Sequence, residues 1–194
     1  MLIIMRIFIS VEFGKQVKDE LRKIQARLPE FQENLRFSSP SKDKTFEVVG
    51  KKTENENLHL TLKFLGEIDE HEVDIVREKL REVKLKKFES ELDEIGVFNP
   101  SFIKIIWISL KNCEGLQAEI DKALLGLFKT EERFMGHVTI ARVKNVKDKK
   151  RFVEKIREIK VEKVKFKVDR FYLMESKLSE KGPEYRVVEE YKLG

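Results

Sequence analysis

The chain holds three histidines, and two of them sit in near-identical surroundings: His59-Leu60-Thr61-Leu62 and His137-Val138-Thr139-Ile140. Only five threonines occur in 194 residues, so a doubled His-x-Thr is a pattern rather than a product of composition. Both stretches read as strands, where residues i and i+2 share a face. Each His and its Thr therefore point one way, and Leu60, Leu62, Val138 and Ile140 point the other. If two halves of the chain face each other, a cleft between them holds two imidazoles and two hydroxyls. A neutral imidazole takes a proton from water and an imidazolium gives one to a leaving oxygen. Threonine hydroxyls donate to phosphate oxygens as charge builds on them. That is a constellation for opening a phosphate ester. The plainer reading is two half-buried strand histidines with local partners; a single copy favours it, and the pair favours the site.

The elements that must position these residues follow from periodicity. Residues 6–13 (RIFISVEF) alternate and are rich in β-formers, so they predict a strand. Residues 15–28 carry Val17, Leu21, Ile24 and Leu28 at helical spacing, with Pro29 behind them. Residues 32–57 are polar, with a loop signal at Ser38-Ser39-Pro40-Ser41 and a short strand at 46–49. Residues 58–65 (LHLTLKFL) predict a strand that Gly66 ends, and Asp69 caps a helix running to about residue 83. Strands at 88–97 and 102–110 meet at an Asn99-Pro100 turn. An amphipathic helix covers 115–128, a strand 134–143, and a charged helix 148–159. The last strands, 161–176 and 185–191, join at Gly182-Pro183. The order repeats, and no linker separates the halves. The expected fold class is α+β: a single bilobal domain over 1–194, with two pseudo-symmetric lobes of antiparallel sheet, helices outside and a central cleft.

Other residues carry weaker signals. Strict alternation puts Lys63 on the His59 face, where its ammonium could attract phosphate; a surface lysine is the even alternative. The same alternation puts Arg142 on the face opposite His137, so it reaches the cleft only if the strand bulges. His71 starts a helix and reads as solvated. Cys113 has no second cysteine and no base near it in sequence. Trp107 reads as core. The basic run 144–151 reads as a solvated helix face. No His pair at ligand spacing and no carboxylate cluster suggests a metal, so none is expected.

Charged residues are 39% of the chain, mostly Lys and Glu. That fits a hot habitat, where ion-pair networks gain value; an ordinary solvated surface explains it too. The net charge of +5 suits a polyanion such as RNA. A lone cysteine and the lack of a leader or an apolar span point to the cytoplasm.

HLTLKFLG (59–66) and HVTIARV (137–143) resemble the two signature motifs of the 2H phosphoesterases. The nearest branch is the RNA 2′,3′-cyclic phosphodiesterases, long called 2′-5′ RNA ligases or LigT-like proteins. MRIFISVEF (5–13), IGVFNPSFIKIIWISL (95–110) and ESKLSEKGPEYRVVEEYKL (175–193) resemble the family's first, central and last strands. The resemblance implies hydrolysis of RNA 2′,3′-cyclic phosphate ends to 2′-phosphomonoesters, with His59 as proton donor and His137 as proton acceptor. Thr61, Thr139, Lys63 and Arg142 would bind the phosphate. It implies no metal and no cofactor, and a monomer acting on RNA ends, tRNA fragments among the candidates. Reversible 2′-5′ joining of RNA ends and a non-catalytic RNA-end or nucleotide-binding module are the alternatives. Residues 36–57 run longer than is usual in the family, as a flap over the cleft or an inert insertion.

Overall fold

The computed structural model describes residues 3–32, 48–179 and 182–194. Its strands are β1 (Ile4–Glu12), β2 (Phe31–Gln32), β3 (Val48–Lys52), β4 (His59–Asp69), β5 (Phe88–Val97), β6 (Ile105–Lys111), β7 (His137–Val146), β8 (Lys165–Val168), β9 (Arg170–Ser179) and β10 (Gly182–Lys192). Its α-helices are α1 (Lys15–Arg27), α2 (Glu70–Leu80), α3 (Glu114–Ala123) and α4 (Lys149–Arg157). All strands join one sheet in the order β10-β9-β1-β4-β7-β6-β5-β8, with β3 laid against β7. Every pairing is antiparallel except β2 with β3. The order splits into two lobes that meet at β4 and β7, four strands on the β4 side and six on the β7 side once β3 and β2 are counted beside β7. Only one register pair, Leu60 opposite Val138, joins those two strands.

The hydrophobic core runs under both lobes. Ile9, Leu60, Leu62, Val138 and Ile140 belong to one buried cluster with the helix residues Val17, Leu21, Ile24, Leu116 and Ile120. The α1 helix inserts Val17, Leu21 and Ile24, as its spacing predicts. The α2 helix starts with a capping box: the Glu72 N–H donates to Asp69 Oδ1 and the Asp69 N–H to Glu72 Oε2. Such a cap stabilises the helix by about 1 kcal/mol.

Several sequence boundaries move. Gly66 does not end β4. It lies inside the strand with φ +87°, at a bulge where Ile7 pairs with Gly66 and Phe8 with Phe64. Its freedom in the left-handed region lets the strand bend and continue. The α3 helix stops at Ala123, and Leu124–Phe128 turn back around Gly126; the leucine spacing continued past the helix, yet Leu125 and Leu127 are exposed. The strand expected over 161–176 is two, because Lys165–Val168 pairs with β5 at one edge while Arg170–Ser179 pairs with β1 in the other lobe. Gly182 and Pro183 open β10 rather than forming its turn. Most of the long polar stretch, residues 33–47, lies outside the described residues, and with it both the 36–57 flap question and the start of the strand expected at 46–49.

Candidate active site

The β4 and β7 strands are built alike. From each histidine onward, ten successive residues follow the same sequence of half-buried, buried and exposed positions. His and Thr are half-buried, the aliphatics between and after them are buried, and the residue five after each His is exposed. The cause is a bulge at the same place in both strands. In β4, Ile9 pairs with Lys63 and Ser10 with Thr61, so Leu62 is the extra residue. In β7, Ile106 pairs with Ala141 and Trp107 with Thr139, so Ile140 is extra. The extra residue reverses the alternation beyond it. Position five, Phe64 and Arg142, returns to the cleft face; position four, Lys63 and Ala141, is buried.

Two expectations turn on this bulge. Arg142 lines the cleft because the strand bulges, which is the condition its reach required. Lys63 also borders the cleft, but the bulge at Leu62 takes it off strict alternation and its ammonium is held by buried partners. Lys63 Nζ lies 2.5 Å from Asp121 Oδ1 and 2.5 Å from the Lys129 carbonyl, with a side chain only 5% exposed. Removing one partner of such a buried pair costs about 3–5 kcal/mol.

The cleft holds about 570 Å³ and is lined by His59, Thr61, His137 and Thr139. Around the single rung, antiparallel register sets His59 across from Thr139 and Thr61 across from His137. His59 Nε2 is 3.1 Å from Thr61 Oγ1. Its Nδ1 is buried without a partner of normal geometry, though the Asn57 carbonyl bears on the ring and favours the charged form. Burial dominates and pushes His59 down to about 4, with Lys18, Arg142 and His137 adding to the fall. The ring packs against Phe8 at 5.1 Å and edge-on to Tyr185 at 5.1 Å. His137 differs. Its Nδ1–H donates to the Met135 carbonyl at 2.8 Å, which leaves Nε2 with a free lone pair when the ring is neutral. Burial lowers its pKa and the Met135 carbonyl opposes that. Phe98 packs edge-on to it at 5.0 Å.

Sequence reasoning missed Tyr185, Phe98, Phe64, Arg6 and Arg133, all in the cleft wall. The first two come from strand ends remote in the chain; their neighbours Pro183 and Asn99-Pro100 mark strand ends, and that was the available signal. Gly50 was missed for another reason. A Cβ there would stand 2.3 Å from the Arg142 carbonyl, so only glycine lets β3 lie this close to the strand that carries Arg142. Gln25 was read only as part of a helix. Its Nε2 donates to the carbonyls of Ile140 and Thr53, both at 2.8 Å, and so holds the β7 bulge.

The other residues that the sequence singled out lie away from the chemistry. His71 is exposed on α2. Cys113 is fully buried, and burial pushes its thiol up to about 11 despite a hydrogen bond with Ser90, so it is no nucleophile at neutral pH. Trp107 packs beside Phe98 at 5.7 Å and does not line the cleft. Among the described residues, no group of three His, Cys, Asp or Glu side chains is placed to hold a metal ion. No helix there is long and apolar enough to cross a membrane.

Residues 47–180 match the family model of the 2′-5′ RNA ligase superfamily. The chain belongs to that superfamily. Within it, the chain is 33% identical over 198 residues to the RNA 2′,3′-cyclic phosphodiesterase of Methanocaldococcus jannaschii, covering 96% of this chain and 100% of that one. Among solved structures of the same shape, TT0787 of Thermus thermophilus superposes with a TM-score of 0.71 at 25% identity, covering 97% of each chain. Escherichia coli LigT complexed with 3′-AMP superposes with a TM-score of 0.70 at 17% identity, over 98% of this chain and 99% of that one. The solved structures share the α+β, two-lobed sheet described above.

Proposed function

We propose that this chain hydrolyses 2′,3′-cyclic phosphate ends of RNA to 2′-phosphomonoesters. The observation that carries the proposal is the pair of His-x-Thr strands set across one rung, with the two rings held differently. His137, its Nδ1–H committed to the Met135 carbonyl, takes a proton from water at Nε2. The water oxygen attacks phosphorus. The bond from phosphorus to O3′ breaks, and His59 gives its proton to O3′, leaving the phosphate on O2′. Thr61, Thr139 and Arg142 bear the negative charge that builds on the non-bridging oxygens. His59 is driven toward the neutral form by burial, and the anionic phosphate of the substrate works against that, so binding itself charges the donor. Phe64, 68% exposed beside the phosphate position, offers a flat apolar face to the terminal base.

The reaction as drawn needs no metal, because two imidazoles move the protons. The unit that performs it is residues 1–194, one bilobal monomer in the cytoplasm with its sheet continuous across both lobes. Its RNA includes cleaved tRNA fragments. The kinship with the Methanocaldococcus jannaschii RNA 2′,3′-cyclic phosphodiesterase supports the hydrolysis.

The test is incubation of an oligoribonucleotide ending in 2′,3′-cyclic phosphate with the protein in EDTA, beside His59→Ala and His137→Ala. Formation of the 2′-phosphate by wild type and its loss in both variants is expected. Tight binding of the end without product would make the chain a reader of such ends and overturn the proposal. A joined product from cleaved RNA halves would show that the same histidines run the reaction in reverse.

A further inference from the structure

The segment 129–136 has no helix or strand, yet it builds one wall of the cleft. Glu131, Arg133, Phe134 and Met135 all line the site, and the Met135 carbonyl holds the His137 ring. A loop with that duty needs an anchor, and the anchor is the buried charge pair of Lys63 and Asp121. Asp121 Oδ1 accepts from Lys63 Nζ, and Asp121 Oδ2 accepts from Gln117 Nε2 and from the Glu131 N–H, the latter two at 2.7 Å each. Lys63 Nζ also donates to the Lys129 carbonyl. Two of these four bonds therefore land on loop backbone, on either side of Thr130.

We propose that Lys63 and Asp121 are a positioning pair: they clasp the 129–135 loop across the junction of the lobes, and so set the cleft wall and the seat of the His137 ring. The pair rests on the phosphodiesterase reading for its catalytic consequence. Its placement supports the role. Lys63 lies on the strand of His59, four residues after it, and Asp121 lies on α3 in the segment that leads to His137. The sheet joins the two histidine strands by one rung only. The clasp is a second tie, from one histidine's strand to the loop of the other. The side chains are 5% and 10% exposed. An apolar pair of similar size would fill that space at less desolvation cost, but it could not grip a backbone N–H and a carbonyl. The position is also unsymmetric. At the matching place in β7 stands Ala141, which has nothing to hold with. The gripped loop follows α3, and the structure gives the β4 side no equivalent charge pair among the described residues.

The experiment compares wild type with Lys63→Arg, Gln117→Ala and the double variant Lys63→Met/Asp121→Leu. The double variant removes both charges together and leaves no buried ion unpaired. The readouts are thermal unfolding, KM and kcat on a dinucleotide with a 2′,3′-cyclic phosphate, affinity for inorganic phosphate, and amide exchange at Glu131. In the folded double variant, KM and the phosphate dissociation constant rise about tenfold, equivalent to about 1.4 kcal/mol of binding lost with the displaced wall. The kcat falls less, and Glu131 exchanges faster. The pH limb belonging to His137 moves acidward, since the Met135 carbonyl no longer favours its charged form. Lys63→Arg keeps most of the affinity. A double variant with wild-type KM, phosphate affinity, pH limb and exchange overturns the proposal. Should it not fold, Gln117→Ala decides, because it loosens Asp121 and leaves both charges: faster Glu131 exchange with a raised KM supports the clasp, and no change in either sinks it. An inactive wild type would end the phosphodiesterase reading alone; phosphate affinity and exchange would still decide the clasp.

Discussion

The β4 and β7 strands share a burial pattern, a bulge and a His-x-Thr, yet almost nothing chemical beyond those is shared. His59 is sunk among Phe8 and Tyr185 with its Nδ1 unpartnered, while His137 is tied by Nδ1 to a carbonyl. At the fourth residue one strand has Lys63 and the other Ala141; at the fifth, one has Phe64 and the other Arg142. The two strands share a frame and differ in the side chains set on it. One lobe carries the deep ring and an aromatic face, and the other carries the tautomer-locked ring and a guanidinium. A frame repeated in its burial pattern thus holds its two histidines in different environments.

The sharpest way to break the comparison is at the rings. His59→Ala and His137→Ala should each lower kcat/KM by about 10²–10⁴, measured on a cyclic-phosphate dinucleotide; a variant losing less than tenfold would remove that ring from the chemistry. Next comes the fifth position of β7. Arg142→Ala should lower kcat by about 10²–10³, as loss of a transition-state donor does, whereas an effect on KM alone would make the arginine a mere attractor of phosphate. The pH profile follows. One ring must be protonated and one neutral. Burial takes His59 to about 4 and lowers His137 from the ordinary imidazole value, so the free enzyme loses its protonated ring before neutral pH is reached. The kcat/KM should therefore peak on the acid side of neutrality and fall about tenfold per pH unit on the alkaline side, while kcat, read with phosphate bound, reaches higher pH. A kcat/KM optimum above pH 7 would contradict the burial of the rings.

At the fifth position of β4, Phe64→Ala should raise KM about tenfold for substrates with a base, in line with about 1–3 kcal/mol per stacked base, and leave an abasic ribose cyclic phosphate unaffected. Equal losses on both substrates would remove the base from that face. The smallest effect belongs to the frame. Gln25→Leu strips the Ile140 and Thr53 carbonyls of a donor, and should lower stability by about 1–3 kcal/mol with a modest fall in kcat through the displaced Arg142. Thermal unfolding beside the kinetics would check both, and an unchanged Arg142 contribution would mean that β6 and β3 hold the bulge without it.

Much of this protein is legible in its sequence. The repeated His-x-Thr needs only the two-residue period of a strand to put imidazoles and hydroxyls on one face, and the helix spacing at Val17, Leu21 and Ile24 needs only the 3.6-residue turn. Asp69 followed by Glu72 announces its own cap. These are local facts, decided within a few residues by backbone geometry. The tertiary structure decided the rest. A bulge exists only relative to a partner strand, so β1 and β6 determined that Lys63 turns inward and that Phe64 and Arg142 turn to the cleft. Asp121 and Gln25 act over separations of 58 and 115 residues, and Tyr185 reaches His59 from the last strand. The ring environments came from burial and from one carbonyl, neither of which a spacing encodes. Residue types and periods specify which groups face together; which of them is charged, anchored or exposed depends on what the rest of the chain packs around them.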